Sequence, residues 1–360
     1  MRPVQALRRI AVSVVMAIGA VVATAVPASA HTVSGQGATD YRSTLTSVTP
    51  ATPGLTVAVV NLGSNLKLTW TGPTKLVVLG YQGEPYLRIG PDGVFRNRLS
   101  PATYLNVTRS YGAIPPYADA AAPPDWVRLS GGHTVTWHDH RIHWMGGPTP
   151  PPVAAAPGAF HHVVTWTVKM TDAGKPIVVA GSLDYVPGSS PWPWLAVVLV
   201  LAIVGVLVGA SRHWARGLAA LVAVLVAADM VHALGTGVFA AGSVGHKFAV
   251  TFTGSYYSVV AWVLGAVAIR LLLKRSIDGL FAAVFTALVI GLFGGLADVV
   301  SLARSQVPFE WGVRPAQVLV AVSIGVGAGV VIGSIIAFRI NRPAPAVEPS
   351  DATGAAIASG

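Results

Sequence analysis

Between residues 194 and 338 the chain is almost unbroken Ala, Val, Leu, Ile and Gly, whereas residues 31–190 alternate short apolar runs with polar turns. A bilayer core takes roughly 20 apolar residues per helix. Five segments meet that length: 194–210, 217–239, 250–273, 279–303 and 315–338. The first opens on Pro191-Trp192-Pro193-Trp194, and tryptophan favours the headgroup belt. Upstream, β-prone runs fall at 56–60, 66–70, 76–79, 86–89, 134–138, 162–170 and 177–185. Gly and Pro turns separate them, which predicts an antiparallel sandwich, and nothing there has the period of a long amphipathic helix. Two Pro/Ala-rich loops, 114–124 and 148–158, interrupt the series. The pattern predicts an all-β sandwich over 31–187, a linker over 188–193 and an all-α five-helix transmembrane domain over 194–340.

Composition sharpens this division. Hydrophobic residues make up 53% of the chain and charged residues 11%, too few charges for an ordinary soluble protein of 360 residues. The first thirty residues read as a secretory signal peptide: Arg2, Arg8 and Arg9, an apolar run over 10–26, then Ala28-Ser29-Ala30 as the cleavage site. The other reading of this stretch is an uncleaved helix. Cleavage after Ala30 makes His31 the mature N-terminus. The signal puts the sandwich outside the cell membrane, and the spans then alternate. Arg212, Arg216, Lys274, Arg275, Arg339 and Arg342 fall inside, against only Lys247, Arg304 and Arg314 outside. That asymmetry agrees with the positive-inside rule. It also accounts for the net charge of +10 without nucleic acid, which is excluded as a partner. The Ala/Pro/Gly/Ser tail over 341–360 has the composition of a disordered cytoplasmic segment.

Within the helices, Gly325, Gly329 and Gly333 repeat every fourth residue, as do Gly291 and Gly295, which allows close helix packing within or between chains. Ionisable residues at membrane depth are costly and are functional candidates by default. Asp229, Met230 and His232 lie within one turn, and Asp298 falls near the outer end of the fourth span. With His246 in an outer loop, they are expected to gather beneath the sandwich. A structural Asp–His hydrogen-bond pair between helices and a metal or proton role both fit them.

No cysteine is present, so the sandwich has no disulfide, and type 1 copper, iron–sulfur and thiolate zinc sites are excluded. Of ten histidines, six fall between residues 133 and 162: His133, His138, His140, His143, His161 and His162. On an extended strand His138 and His140 share a face, and His143 and Met145 alternate onward. Imidazoles with a thioether suit copper, and three imidazoles also admit zinc. Asp139 is expected to point away from them and to orient a ring or pair with Arg141. The other reading is a polar-aromatic hub, in which Trp137, Trp144, Asp139 and Arg141 pin the long loops and the imidazoles satisfy buried polar groups.

The segment Leu45-Thr46-Ser47-Val48-Thr49-Pro50-Ala51-Thr52-Pro53-Gly54, followed by Leu66-Lys67-Leu68-Thr69-Trp70, resembles the opening strands of CopC-type periplasmic copper carriers. Trp166-Thr167-Val168-Lys169-Met170-Thr171-Asp172-Ala173-Gly174-Lys175-Pro176 is similar to that family's closing hairpin, and the likeness runs on to Tyr185 and Val186. The resemblance implies an Ig-like, CopC-like sandwich that binds Cu(II) through a mature N-terminal histidine, which His31 matches, and a hairpin histidine. The hairpin position here is Lys175, which does not ligate while protonated. No Gly-x-Ser-x-Gly, His-Glu-x-x-His or Walker loop is present, so binding is favoured over catalysis. The chain is thus expected to be a multi-pass membrane protein whose outer domain captures copper, or zinc, for the helices or for a metal-handling partner protein. A membrane-anchored interaction module and a small permease capped by the sandwich are the alternatives.

Overall fold

The computed structural model describes residues 37–107, 112–145, 148–240 and 242–341. The expected signal peptide, His31, Arg342 and the C-terminal tail lie outside the described residues. All pairings in the N-terminal domain are antiparallel. Seven strands form one sheet in the order β1 (Tyr41–Thr49), β10 (Lys175–Tyr185), β9 (His161–Asp172), β4 (Leu76–Leu79), β5 (Pro85–Gly90), β6 (Gly93–Asn97) and β7 (Trp126–Ser130). Three form the other: β2 (Leu55–Val60), β3 (Asn65–Trp70) and β8 (Thr134–His138). Alternation along each strand sends Leu66, Leu68 and Trp70 of β3, Val135 and Trp137 of β8, and Trp166, Val168 and Met170 of β9 into one core. Without disulfides, this burial, about 1.5–3 kcal/mol per large side chain, holds the sandwich. The loops expected over 114–124 and 148–158 carry only one short helix, α2 (Pro151–Ala155); the other short helix of this domain is α1 (Ala102–Leu105).

Three strands escape the apolar pattern. β1 is rich in Ser and Thr, β6 has five residues, and β7 is an edge strand exposed over four of its five positions. Pairing with neighbours, rather than their own hydrophobicity, makes them strands.

Five helical segments are long and apolar enough to cross a membrane: α3 (Trp192–Ala210), α4 (Trp214–Phe239), α6 (Tyr256–Leu273), the run Ile277–Ala303 and α8 (Val313–Asn341). α8 is the most enclosed of them. Its glycines pack inside this one chain. A Cβ on Gly205 of α3 would lie 2.4 Å from the Gly329 backbone, and one on Gly209 would lie 2.1 Å from the Gly333 carbonyl oxygen. Only glycines let α3 and α8 approach so closely.

Two spans differ from expectation. The third does not run unbroken from residue 250. A separate helix, α5 (Val244–Gly254), capped by the Ser243 side chain, ends at Ser255, and α6 begins after it. The fourth is α-helical only over α7 (Ile277–Val289). It loosens into a π-helical stretch at Ile290–Gly295 and then tightens to 3-10 geometry over Leu296–Ala303. Gly291, Gly294 and Gly295 weaken the α-helix there.

The domains meet through the segment before β1 and the loop after the fourth span. Thr39 and Gln306 exchange backbone hydrogen bonds of 2.9 Å each. Asp40 accepts from Arg304 Nη1 at 2.6 Å and from the Ser305 amide at 2.9 Å, while Ala38 packs against Val307 and Phe309. The β2–β3 turn, with Asn61 and Leu62 both at positive φ, faces Phe239 and Lys247 across a cavity of about 450 Å³. That end of the sandwich therefore points at the helices.

Candidate metal centre and intramembrane cluster

β8 ends at His138, where it pairs with Asn65 beside the helix-facing turn. The alternation expected to continue through His143 and Met145 stops there, because a turn takes over. Asp139 makes that turn. Its amide donates to the Ser64 carbonyl at 3.2 Å, and its carbonyl accepts from Ile142 at 3.3 Å. Its carboxylate is wholly buried and accepts from Trp137 Nε1 at 2.9 Å, from the Arg141 amide at 3.1 Å, and from Arg141 Nε and Nη2 at 2.8 and 2.7 Å. Arg141 also donates to the Leu79 carbonyl at 3.1 Å and lies over the Tyr81 ring, whose hydroxyl accepts from the His140 amide at 3.1 Å. Burial alone would raise the Asp139 pKa. The Arg141 hydrogen bonds and charge, with Trp137, outweigh it and hold the carboxyl below the usual aspartate value. The expected Asp139–Arg141 pairing is thus present, as a buried ion pair at the heart of the turn.

Around this pair the turn brings three imidazoles together. One ring nitrogen from each of His138, His140 and His143 lies within 4.8 Å of the others. His138 Nε2 and His143 Nε2 are 2.8 Å apart, and the rings of His138 and His140 meet edge to face with centroids 5.0 Å apart. Two nitrogens bound to one tetrahedral ion at 2.0–2.1 Å lie about 3.3 Å apart, so small ring rotations bring the three to bonding distance. His143 Nδ1 faces the Trp144 carbonyl at 3.3 Å. A hydrogen on Nδ1 leaves Nε2 as the lone-pair donor, the arrangement that metal-bound histidines use.

The other expected ligands lie elsewhere. His133 is exposed at the opposite end of β8, where its carbonyl accepts from the Trp70 amide. His161 faces the Ala156 carbonyl at 2.8 Å, and His162 is engaged at both nitrogens, by Asp184 at 2.9 Å and Thr165 at 3.0 Å. Met145 is half-buried two residues beyond His143. His31 lies outside the described residues.

In the helical domain, His232 does not pair with Asp229 one turn away. Its Nε2 meets Asp298 Oδ2 of the fourth span at 2.9 Å, and its ring stacks on Phe309 with centroids 5.7 Å apart. Nδ1 is buried without a hydrogen-bond partner among the described residues. Asp229 is drawn instead to α6, where it accepts from Trp262 Nε1 at 2.7 Å and from Ser258. Asp229, His232 and Asp298 thus line one small cavity of about 30 Å³, as expected of residues that gather. Met230 turns outward, 41% exposed, and His246 lies exposed on the first turn of α5. Neither joins the cavity. Trp262 and Gly294 are the partners that sequence alone missed. The signal was there in Trp262, an indole in mid-span rather than in the headgroup belt. No known protein family, curated protein or solved structure matches the chain.

Proposed function

We infer that the β-sandwich is an extracytoplasmic metal-capture module held at a cell membrane by five helices, and that His138, His140 and His143 take one copper or zinc ion. The observation that carries this reading is the gathering of three ring nitrogens within 4.8 Å around a turn that a buried ion pair makes rigid. Neutral imidazoles and no thiolate favour Cu(II) or Zn(II) over calcium or magnesium. The resemblance to CopC-type carriers and the basic residues at alternate loops support the outer placement. The triad sits at the end of the sandwich that points toward the helices, which suits delivery to them or to a metal-handling partner. The role is binding, not catalysis.

Metal content decides it. Full-length protein in detergent, stripped with chelator and dialysed against Cu(II) or Zn(II), is expected to retain one ion per chain. His138→Ala with His140→Ala is expected to weaken binding on the order of 100-fold or more, since even outer-shell losses reach 10–100-fold. Wild-type protein that retains no ion, together with a double variant that unfolds, assigns the imidazoles to the Trp137–Asp139–Arg141 hub instead.

A further inference from the structure

The fourth span is interrupted, the third begins at a break from the preceding helix α5, and both irregularities open onto the same polar cavity. The break between α5 and α6 contributes Ser255 and Ser258, and the fourth span contributes Gly294 and Asp298 where α-geometry is lost. α4 supplies Asp229 and His232 from the third side. Lipid satisfies no backbone N–H or C=O, so irregular backbone at membrane depth survives where it is buried in protein or lines a wet cavity. Broken helices that meet around such a cavity are also where transporter folds place small ions.

The cavity's shape and charge narrow the occupant. At about 30 Å³ it holds one water-sized guest. Gly294 is needed for its form, because a Cβ there would lie 2.2 Å from Asp229 Oδ1. The titratable groups facing it are Asp229 and His232 from α4, Tyr257 from α6 and Asp298 from the fourth span. Among the described residues no Lys or Arg lines it, and the buried Nδ1 of His232 has no hydrogen-bond partner. We propose that this cavity binds one small monovalent cation, hydronium or Na+, which makes the helical domain an ion-handling unit rather than an anchor. The proposal stands apart from the histidine triad of the β-sandwich.

The test uses full-length protein in two arms. In nanodiscs, NaCl in place of choline chloride is expected to raise the unfolding temperature by roughly 5 °C at saturation if Na+ is the guest. In proteoliposomes loaded with a pH-sensitive dye, an imposed pH gradient is expected to collapse faster than in empty vesicles if the guest is hydronium. Either response should vanish in Asp229→Asn, and also in Gly294→Ala, which keeps every ionisable group but displaces the Asp229 carboxylate. Wild-type protein that shows neither response overturns the proposal, whether or not the variants fold. So does a response that survives in a folded Asp229→Asn or Gly294→Ala protein.

Discussion

In the β-sandwich, the charged residues lie behind the candidate ligands: Asp139 and Arg141 neutralise each other in the buried turn, and three imidazoles face one another in front of them. In the helical domain, the charged residues line the site itself, where Asp229 is held by Trp262 and Asp298 by His232. Solvent sets this difference. Near water, imidazoles can face one another with no carboxylate among them, as His138 and His143 do with Nε2 atoms 2.8 Å apart. At membrane depth an unpartnered carboxylate is too costly, so each carboxylate arrives with a donor and the site has room for one small guest. In the sandwich the charges pair with each other behind the imidazoles; in the membrane the carboxylates are themselves the groups that the donors hold.

If the ion pair sets the turn, removing its charge should be the most damaging change in the sandwich. Asp139→Asn leaves Arg141 largely buried without its counter-charge, and losing one partner of such a pair costs about 3–5 kcal/mol. The expected result is a large fall in the denaturation midpoint of the sandwich, with metal uptake lost alongside it. Retained stability would mean that the Trp137 and Tyr81 contacts suffice to hold the turn. A similar loss is not expected from His138→Ala, whose ring is only half-buried.

A smaller effect is expected where the two regions touch. Asp40→Ala removes the acceptor for the partly exposed Arg304 and for the Ser305 amide, at a cost of roughly 0.5–1.5 kcal/mol per hydrogen bond lost. The loop it anchors carries Phe309, which stacks on His232. Hydrogen exchange should therefore speed up over residues 304–312 while metal binding by the triad stays unchanged. Equal loosening of the 138–143 turn would show that the two sites are not independent.

Much of this plan was legible in the sequence, for reasons that differ by region. The spans were readable because lipid demands long apolar runs, and seven strands because burial on one face enforces alternation. β6 and β7 were not, since partners rather than composition make them strands, and β1 was marked only by the resemblance of Leu45–Thr49 to an opening strand. The cluster at His138, His140 and His143 was visible as density, yet its geometry was not. A strand reading put His143 and Met145 in alternation, whereas Asp139 turns the chain and gathers His143 without assigning Met145 a place. In the membrane, an Asp–His pair between helices was anticipated, and His232 with Asp298 makes one, but the individual partners of Asp229 and His232 were not legible. Their actual partners, Trp262 and Asp298, come from other spans, and no local pattern encodes a contact across 33 or 66 residues.

The smallest expected effect concerns Lys175, the position that the copper-carrier resemblance singles out. It begins β10 opposite Asp172, whereas Tyr185, ten residues and about 33 Å further along, pairs with Tyr41 at the helix-facing end. β3 links the two ends of the smaller sheet. Trp70 bonds to Thr74, whose side chain meets Asp172, while Asn65, about 17 Å along the strand, pairs with His138. A histidine at 175 is thus far outside the 2.0–2.1 Å at which imidazole binds an ion held by the triad. Ala38, near the first described residue, packs against Val307 and Phe309, also at the helix-facing end. Lys175→His is therefore expected to leave Cu(II) affinity unchanged, as measured by competition against a chelator of known strength. A tenfold tightening would place a second copper ligand near the hairpin. Metal capture would then follow the CopC arrangement, with His31 as the natural partner, rather than the histidine turn.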